Sequence, residues 1–212
     1  MLILERPSRM DADALANSPF KLDTPAMLTL LRILLLLLTA GPLSAASVPY
    51  GGKAQSIPGK IEAEHYDQGA PGEAYHDVDE KNHGADYRGP TQVDIEARPD
   101  ASNGHGIGWT RTGEWLLYTV HIKEAGLYAI EIPVASNKDG GVFHLEIDGK
   151  DVTGPIKIPD TGGWQILKSL KVKSVKLPEG KHVMKAFMDR QGESGSIGDI
   201  DFFHFVREST AR

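Results

Sequence analysis

The fold class this sequence predicts is all-β, an antiparallel β-sandwich, and three observations carry it. Apolar residues recur with period two over most of the chain after residue 57, turn residues punctuate it every eight to twelve positions, and no segment shows a convincing helical period. Leu116, Tyr118, Val120 and Ile122 alternate with Leu117, Thr119 and His121. Tyr128, Ile130, Ile132 and Val134 do the same against Ala129 and Glu131. Phe143, Leu145 and Ile147 face one way and His144, Glu146 and Asp148 the other, up to the turn Asp148-Gly149-Lys150. A strand carrying Val152, Ile156 and Ile158 follows. Pro178-Glu179-Gly180 then separates a lysine-studded apolar strand from Val183-Met184-Lys185-Ala186-Phe187, and Ile200 to Val206 closes the series. Such alternation buries one face of each strand and leaves the other wet, so two sheets must pack face to face.

The front of the chain reads differently. Behind Arg32 lies an unbroken apolar run, Ile33 to Leu38, followed by Gly41-Pro42 and the small residues Ser44-Ala45-Ala46-Ser47. A basic flank, a short apolar core and small residues are the layout of an export signal, and roughly ten apolar residues fall short of the about 20 needed to span a bilayer. The reading is therefore a non-structural extension over residues 1–26, a secretory signal over 27–46, a linker over 47–56 and one domain over 57–207. It places the domain outside the cell or in a periplasm, without a stable membrane span. Translation from Met27 would make Arg32 the basic region of that signal.

Charge and composition remove several function classes. The chain carries 23 basic and 29 acidic residues, a net charge of −6, and no basic stretch that would grip a phosphate backbone. Nucleic acid is not an expected partner. Cysteine is absent, so export brings no disulfide framework. No metalloprotease, phosphate-loop or dinucleotide motif occurs, and Gly192-Glu193-Ser194-Gly195-Ser196 fails the spacing of a nucleophile elbow. Glu114 is the one nominee for a glycosidase acid, but no second carboxylate is paired with it by spacing, and it reads as a strand-edge or turn residue. The histidines are scattered singly, and His121 and His144 read as solvated positions. Catalysis is not expected.

Two tryptophans stand out because glycine precedes each in loop-like sequence, in Gly106-Ile107-Gly108-Trp109 and Thr161-Gly162-Gly163-Trp164. Glycine adds no packing and loosens the backbone, which makes it a poor neighbour for a core anchor. A flat ring on a turn is well placed to stack on a sugar or a base, and the acidic charge favours the sugar. Trp115 lies inside a strand and reads as structural. Glu62 and Glu64, two apart in Ile61-Glu62-Ala63-Glu64, put two carboxylates on one strand face. Either a hard cation such as calcium offsets their repulsion, or they form a solvated strand edge.

Taken in order, Ile61-Glu62-Ala63-Glu64-His65-Tyr66, Tyr87-Arg88, Val93-Asp94-Ile95, Gly106-Ile107-Gly108-Trp109, Gly113-Glu114-Trp115-Leu116, Phe143 to Gly149, Thr161 to Trp164 and Ile200-Asp201-Phe202-Phe203 resemble carbohydrate-binding module family 6. The likeness covers about Ile57 to Val206. It implies a jelly-roll sandwich with a cleft among loops at one edge, where Trp109 and Trp164 would clamp a terminal sugar. The polar residue completing the cleft, often an Asn, would here be Asp199, which as a carboxylate accepts but cannot donate. The resemblance also implies a structural calcium held by Glu62, Glu64, a backbone carbonyl near Arg88, and Asp201. The expectation is a non-catalytic, monomeric module for a polysaccharide or oligosaccharide. The alternatives are a small β-sandwich glycoside hydrolase and an envelope protein-interaction domain.

Overall fold

The computed structural model describes residues 47–209, and the expected extension (1–26) and export signal (27–46) lie outside them. Among the described residues, fourteen strands form two seven-stranded sheets. The first sheet runs β1 (Gln55–Ile57), β6 (Trp115–Ile122), β12 (Gly180–Arg190), β8 (Val142–Ile147), β10 (Ile156–Lys157), with β3 (Tyr75–His76) on β6 and β9 (Lys150–Asp151) on β8. The second runs β2 (Gly59–Glu62), β14 (Phe202–Arg207), β7 (Gly126–Ser136), β13 (Asp199–Ile200), β5 (His105–Ile107), β4 (Ile95–Ala97), with β11 (Gly163–Leu177) on the other edge of β7. Apart from the consecutive pairs β4–β5 and β8–β9, strands adjacent in space are distant in sequence, as the jelly-roll reading requires. Among the described residues the strands pair antiparallel except β1 with β6, and an isolated parallel bridge joins Pro71 to Tyr75.

The period-two strands bury the faces their sequences mark. Leu116, Tyr118, Val120 and Ile122 from β6, Phe143, Leu145 and Ile147 from β8, and Met184 and Ala186 from β12 meet Ile130, Ile132, Phe203 and Phe205 of the opposite sheet in one core. At about 25 cal/mol per Å2 of apolar surface removed from water, this core is the main source of stability. The buried Tyr118 hydroxyl donates to the carbonyl of Ala63, 2.7 Å away, so its polar end costs little.

Three expectations need correction. Residues 47–56, read as a linker, are built into the domain: Val48 pairs with Gln68, Tyr50–Gly52 form a 3-10 turn, and β1 starts at Gln55 against β6. Their Gly and Pro content marks turns, not slack chain. Strand β2 ends at Glu62, so Glu64 sits on the following turn. His144 is not a solvated position, since its ring lies 2.9 Å from Asp189 and 3.3 Å from Glu146. Burial disfavours the charged ring, but the two carboxylates outweigh it and hold the His144 pKa above its ordinary value.

β11 positions the site. Against β7 its register runs from Gly163↔Ser136 to Lys168↔Val134, so five steps on β11 span two on β7. The extra residues leave the ladder, and Trp164 is the first of them. The hydroxyl of buried Thr161 fixes this departure, accepting from the Ser136 amide at 2.9 Å and lying 3.0 Å from the Ser136 and Gly163 carbonyls.

Candidate functional site

Glu96, Trp109, Arg111, Trp164, Gln165, Ser194, Gly195, Ser196 and Asp199 line a cleft of about 540 Å3 at one edge of the sandwich. That volume suits a small ligand or the end of a chain. The three residues expected to bind, Trp109, Trp164 and Asp199, are brought together there.

Trp109 follows β5 with φ = 49°, in the left-handed region that a bulky residue rarely adopts, and is 43% exposed. Neighbouring hydrogen bonds hold that turn. The Thr110 hydroxyl donates to the Gly198 carbonyl at 2.7 Å, and the Ser196 hydroxyl to the Thr110 carbonyl at 2.8 Å. The glycine before Trp109 has a packing reason: a Cβ on Gly108 would lie 3.2 Å from Asp199 Oδ1. Neither Trp109 nor Trp164 belongs to the hydrophobic core. Trp115, read as structural, is half-buried, with the Lys185 ammonium 5.8 Å from its ring.

Sequence reasoning missed Arg98 and Glu96. The Arg98 guanidinium is buried beneath the cleft and spends all five N–H donors. Nε and Nη2 form a fork to Asp100 at 2.9 and 2.8 Å, and Nη2 also donates to the Trp164 carbonyl at 2.8 Å. Nη1 reaches Asp199 at 3.0 Å and Glu96 at 3.4 Å. Gln165 caps Glu96 from the other side at 2.7 Å. In Glu96-Ala97-Arg98-Pro99-Asp100 this arginine looks like a surface turn residue, and only partners 66 and 101 positions away reveal its burial.

Asp199 is therefore not a free acceptor as expected, because one oxygen already serves Arg98. Burial and then repulsion from Glu96 outweigh the pull of Arg98 and push its pKa up to about 7. Glu114, beside the cleft loop and accepting from the Arg111 amide at 2.8 Å, is pushed by burial to about 8. A carboxyl whose pKa is raised by folding contributes stability that is complete below its ordinary value near 4, and that stability is lost as pH rises through the folded value. The melting temperature is accordingly expected to fall from about pH 4.5 upward, most steeply between about 5 and 7 where both groups are protonated only in the folded state, and to level off above about 8, with Glu114→Gln making the fall shallower and ending it near 7. A flat profile in thermal melts would refute this.

The residues expected to hold calcium lie where β2, the 99–103 loop and the start of β14 meet. Glu62 accepts from the Ser102 hydroxyl at 2.7 Å, and both oxygens of Asp201 accept from the Ser102 amide at 3.1 and 3.2 Å. Glu64 is fully buried. One of its oxygens takes the Asn103 amide and the other, Oε2, has no partner. Burial first, with Glu62 and Asp201 adding, raises Glu64 to about 7. Among the described residues no three acidic or histidine side chains are gathered as a ready metal cluster. The all-oxygen donor set and the orphaned Glu64 oxygen still fit a hard cation. The Arg88 side chain is engaged elsewhere. Its guanidinium donates to the Glu64 and Tyr66 carbonyls at 2.6 and 2.9 Å and stacks on the Tyr50 and Tyr66 rings.

A family profile described as carbohydrate binding module (family 6) matches residues 83–207, which covers all of this cleft. The chain belongs to that family. Its members are non-catalytic binding modules, so carbohydrate binding is the activity the family brings. Among solved structures, the C-terminal family 6 module of LamC, a marine laminarinase from Zobellia galactanivorans, is 26% identical with a TM-score of 0.51, covering 70% of this chain and 98% of that one. A module of Cellvibrio mixtus lichenase 5A in complex with cellotriose is 25% identical, with a TM-score of 0.53 and coverage of 73% and 99%. A β-1,3-glucan-binding module from Bacillus halodurans shares the fold at 23% identity and a TM-score of 0.54, over 72% and 98%. The clotting factor G alpha subunit of Tachypleus tridentatus is 33% identical over 81 residues, 37% of this chain and 12% of that far longer protein. Among the described residues no helix is long and apolar enough to cross a membrane.

Proposed function

We propose that this family 6 module holds the end of a polysaccharide or oligosaccharide chain between Trp109 and Trp164. One observation carries the reading: two tryptophans outside the core line a single cleft, one of them on a turn in left-handed backbone. Burying the C–H faces of a sugar ring against two indoles supplies affinity, while Gln165, Glu96 and Asp199 supply acceptors for its hydroxyls. The relatives' names, a laminarinase module, a β-1,3-glucan binder and a cellotriose complex, make β-glucans the first polymers to test. A panel of affinity gels containing laminarin, mixed-linkage β-glucan, xylan and agarose is the experiment. Retardation by at least one is expected, and migration unchanged in all of them would remove the reading.

The same reading places the module outside the cytoplasm, delivered by the segment 27–46. It also assigns a calcium ion to Glu62, Glu64 and Asp201, with a backbone carbonyl near Arg88. Bound there, the ion would offset the charge of the carboxylates and link β2 to β14, near the two ends of the domain. Because only the folded state offers the site, saturating calcium is expected to raise the melting temperature over chelated protein by about 5 °C or more. An identical melt with and without chelator would discard the ion.

A further inference from the structure

Arg98 offers more than stability, because of where its five hydrogen bonds go. They reach β4 (Glu96), the loop after it (Asp100), the start of β11 (the Trp164 carbonyl) and β13 (Asp199), so one guanidinium ties together the walls of the cleft. Its side chain is 1% exposed, and with every donor spent it has none left for a ligand. Three carboxylates face this single positive charge. The cation that lines the cleft itself, Arg111, is paired with Asp79 at 3.2 Å. The nearby Lys138 is matched by Glu193 at 3.5 Å. The cleft floor thus carries a surplus of negative charge and of hydrogen-bond acceptors.

We propose that Arg98 is the positioning residue of the cleft and that the acceptor-rich, negatively charged floor it organises admits sugars bearing only hydroxyl or other donor groups and rejects those carrying a carboxylate or sulfate. The inference rests on the sugar-clamp reading above and names its substrate class. A ring with hydroxyl donors satisfies Glu96, Asp199 and the Gln165 carbonyl. An acidic ring meets like charge there, Arg98 has no donor left for it, and the Arg111 guanidinium is already paired with Asp79. Arg98 would otherwise be the obvious partner for an acidic sugar, and its occupied donors exclude that role.

The test uses the whole chain with laminarihexaose and cellohexaose, each beside a counterpart oxidised at C6 to a uronate, titrated calorimetrically at pH 8. For the neutral sugar that binds, the uronate form is expected to bind at least about 10-fold more weakly. In Glu96→Gln/Asp199→Asn that gap is expected to close to about twofold, whatever happens to the absolute affinity. Arg98→Lys keeps the charge but not the fork. It is expected to lose at least about 10-fold in neutral binding while keeping the discrimination. Equal binding of neutral and uronate forms by the wild type, or an unchanged gap in the double variant, overturns the charge selection. A folded Arg98→Lys protein that binds like the wild type overturns the positioning role. If Arg98→Lys does not fold, the ratio in the double variant still decides the selection. Binding of neither form of either sugar, with the gel panel also blank, defeats the clamp itself.

Discussion

Trp164→Ala is expected to abolish retardation in polysaccharide gels while moving the melting temperature by no more than a few degrees. The side chain lies outside the hydrophobic core, on residues that leave the β11–β7 ladder, so its removal opens no core cavity. One face of a bound sugar would lose its apolar partner, a loss of about 2–3 kcal/mol from buried area and ring contact, which is roughly 30- to 150-fold in Kd. Trp109→Ala is expected to lose a similar amount, with the left-handed backbone at that position still strained because alanine keeps the Cβ. The pair of measurements, binding and thermal unfolding on the same preparation, separates the two roles a tryptophan could have. Retained binding with a large fall in stability would make Trp164 a packing residue and end the clamp.

Arg98→Met is expected to produce the largest loss of stability of any single change around the cleft. Removing one partner of a buried ion pair leaves the other charge uncompensated, which costs about 3–5 kcal/mol. Here Asp199 would remain buried beside Glu96 and Asp100 with nothing to oppose them. For a domain of this size the melting temperature would fall by about 10 °C or more. The loss has a sign with pH. Asp199 is held near 7 even with its arginine present, so below that pH it is protonated and the missing charge matters less. The deficit is therefore expected to be smaller at pH 5 than at pH 8. Adding Asp199→Asn to Arg98→Met should restore part of it, and a double-mutant cycle measures how much. A stable Arg98→Met protein with a pH-independent melt would mean that solvent, not Arg98, compensates these carboxylates.

How much of this was legible in the chain depends on the length scale of each feature. The long strands were readable because a period of two is a local property: β6, β7 and β8 bury the residues whose alternation marks them. β11 was harder. Its two register shifts break the alternation, and its four lysines obscure the face that packs. Two-residue strands such as β3, β10 and β13 carry too few positions to show any period. The glycine-backed tryptophans were legible as candidates because glycine removes the reason to bury a ring, although Gly108 turned out to make room for Asp199 as well.

By itself the sequence determined the all-β class, the strands that build the core, the family, and two rings suited to a flat ligand. Each of these depends on neighbours within a few residues or on a fixed order of short motifs. Only the tertiary structure decided what stands between those rings. Glu96 and Arg98, on and just after β4, meet Asp199 of β13 and the Trp164 carbonyl of β11 only when those strands converge. The charge of the cleft is then set by the one guanidinium that the three carboxylates must share. Coulomb energy depends on distance in space and on burial, and neither can be read from spacing along a chain.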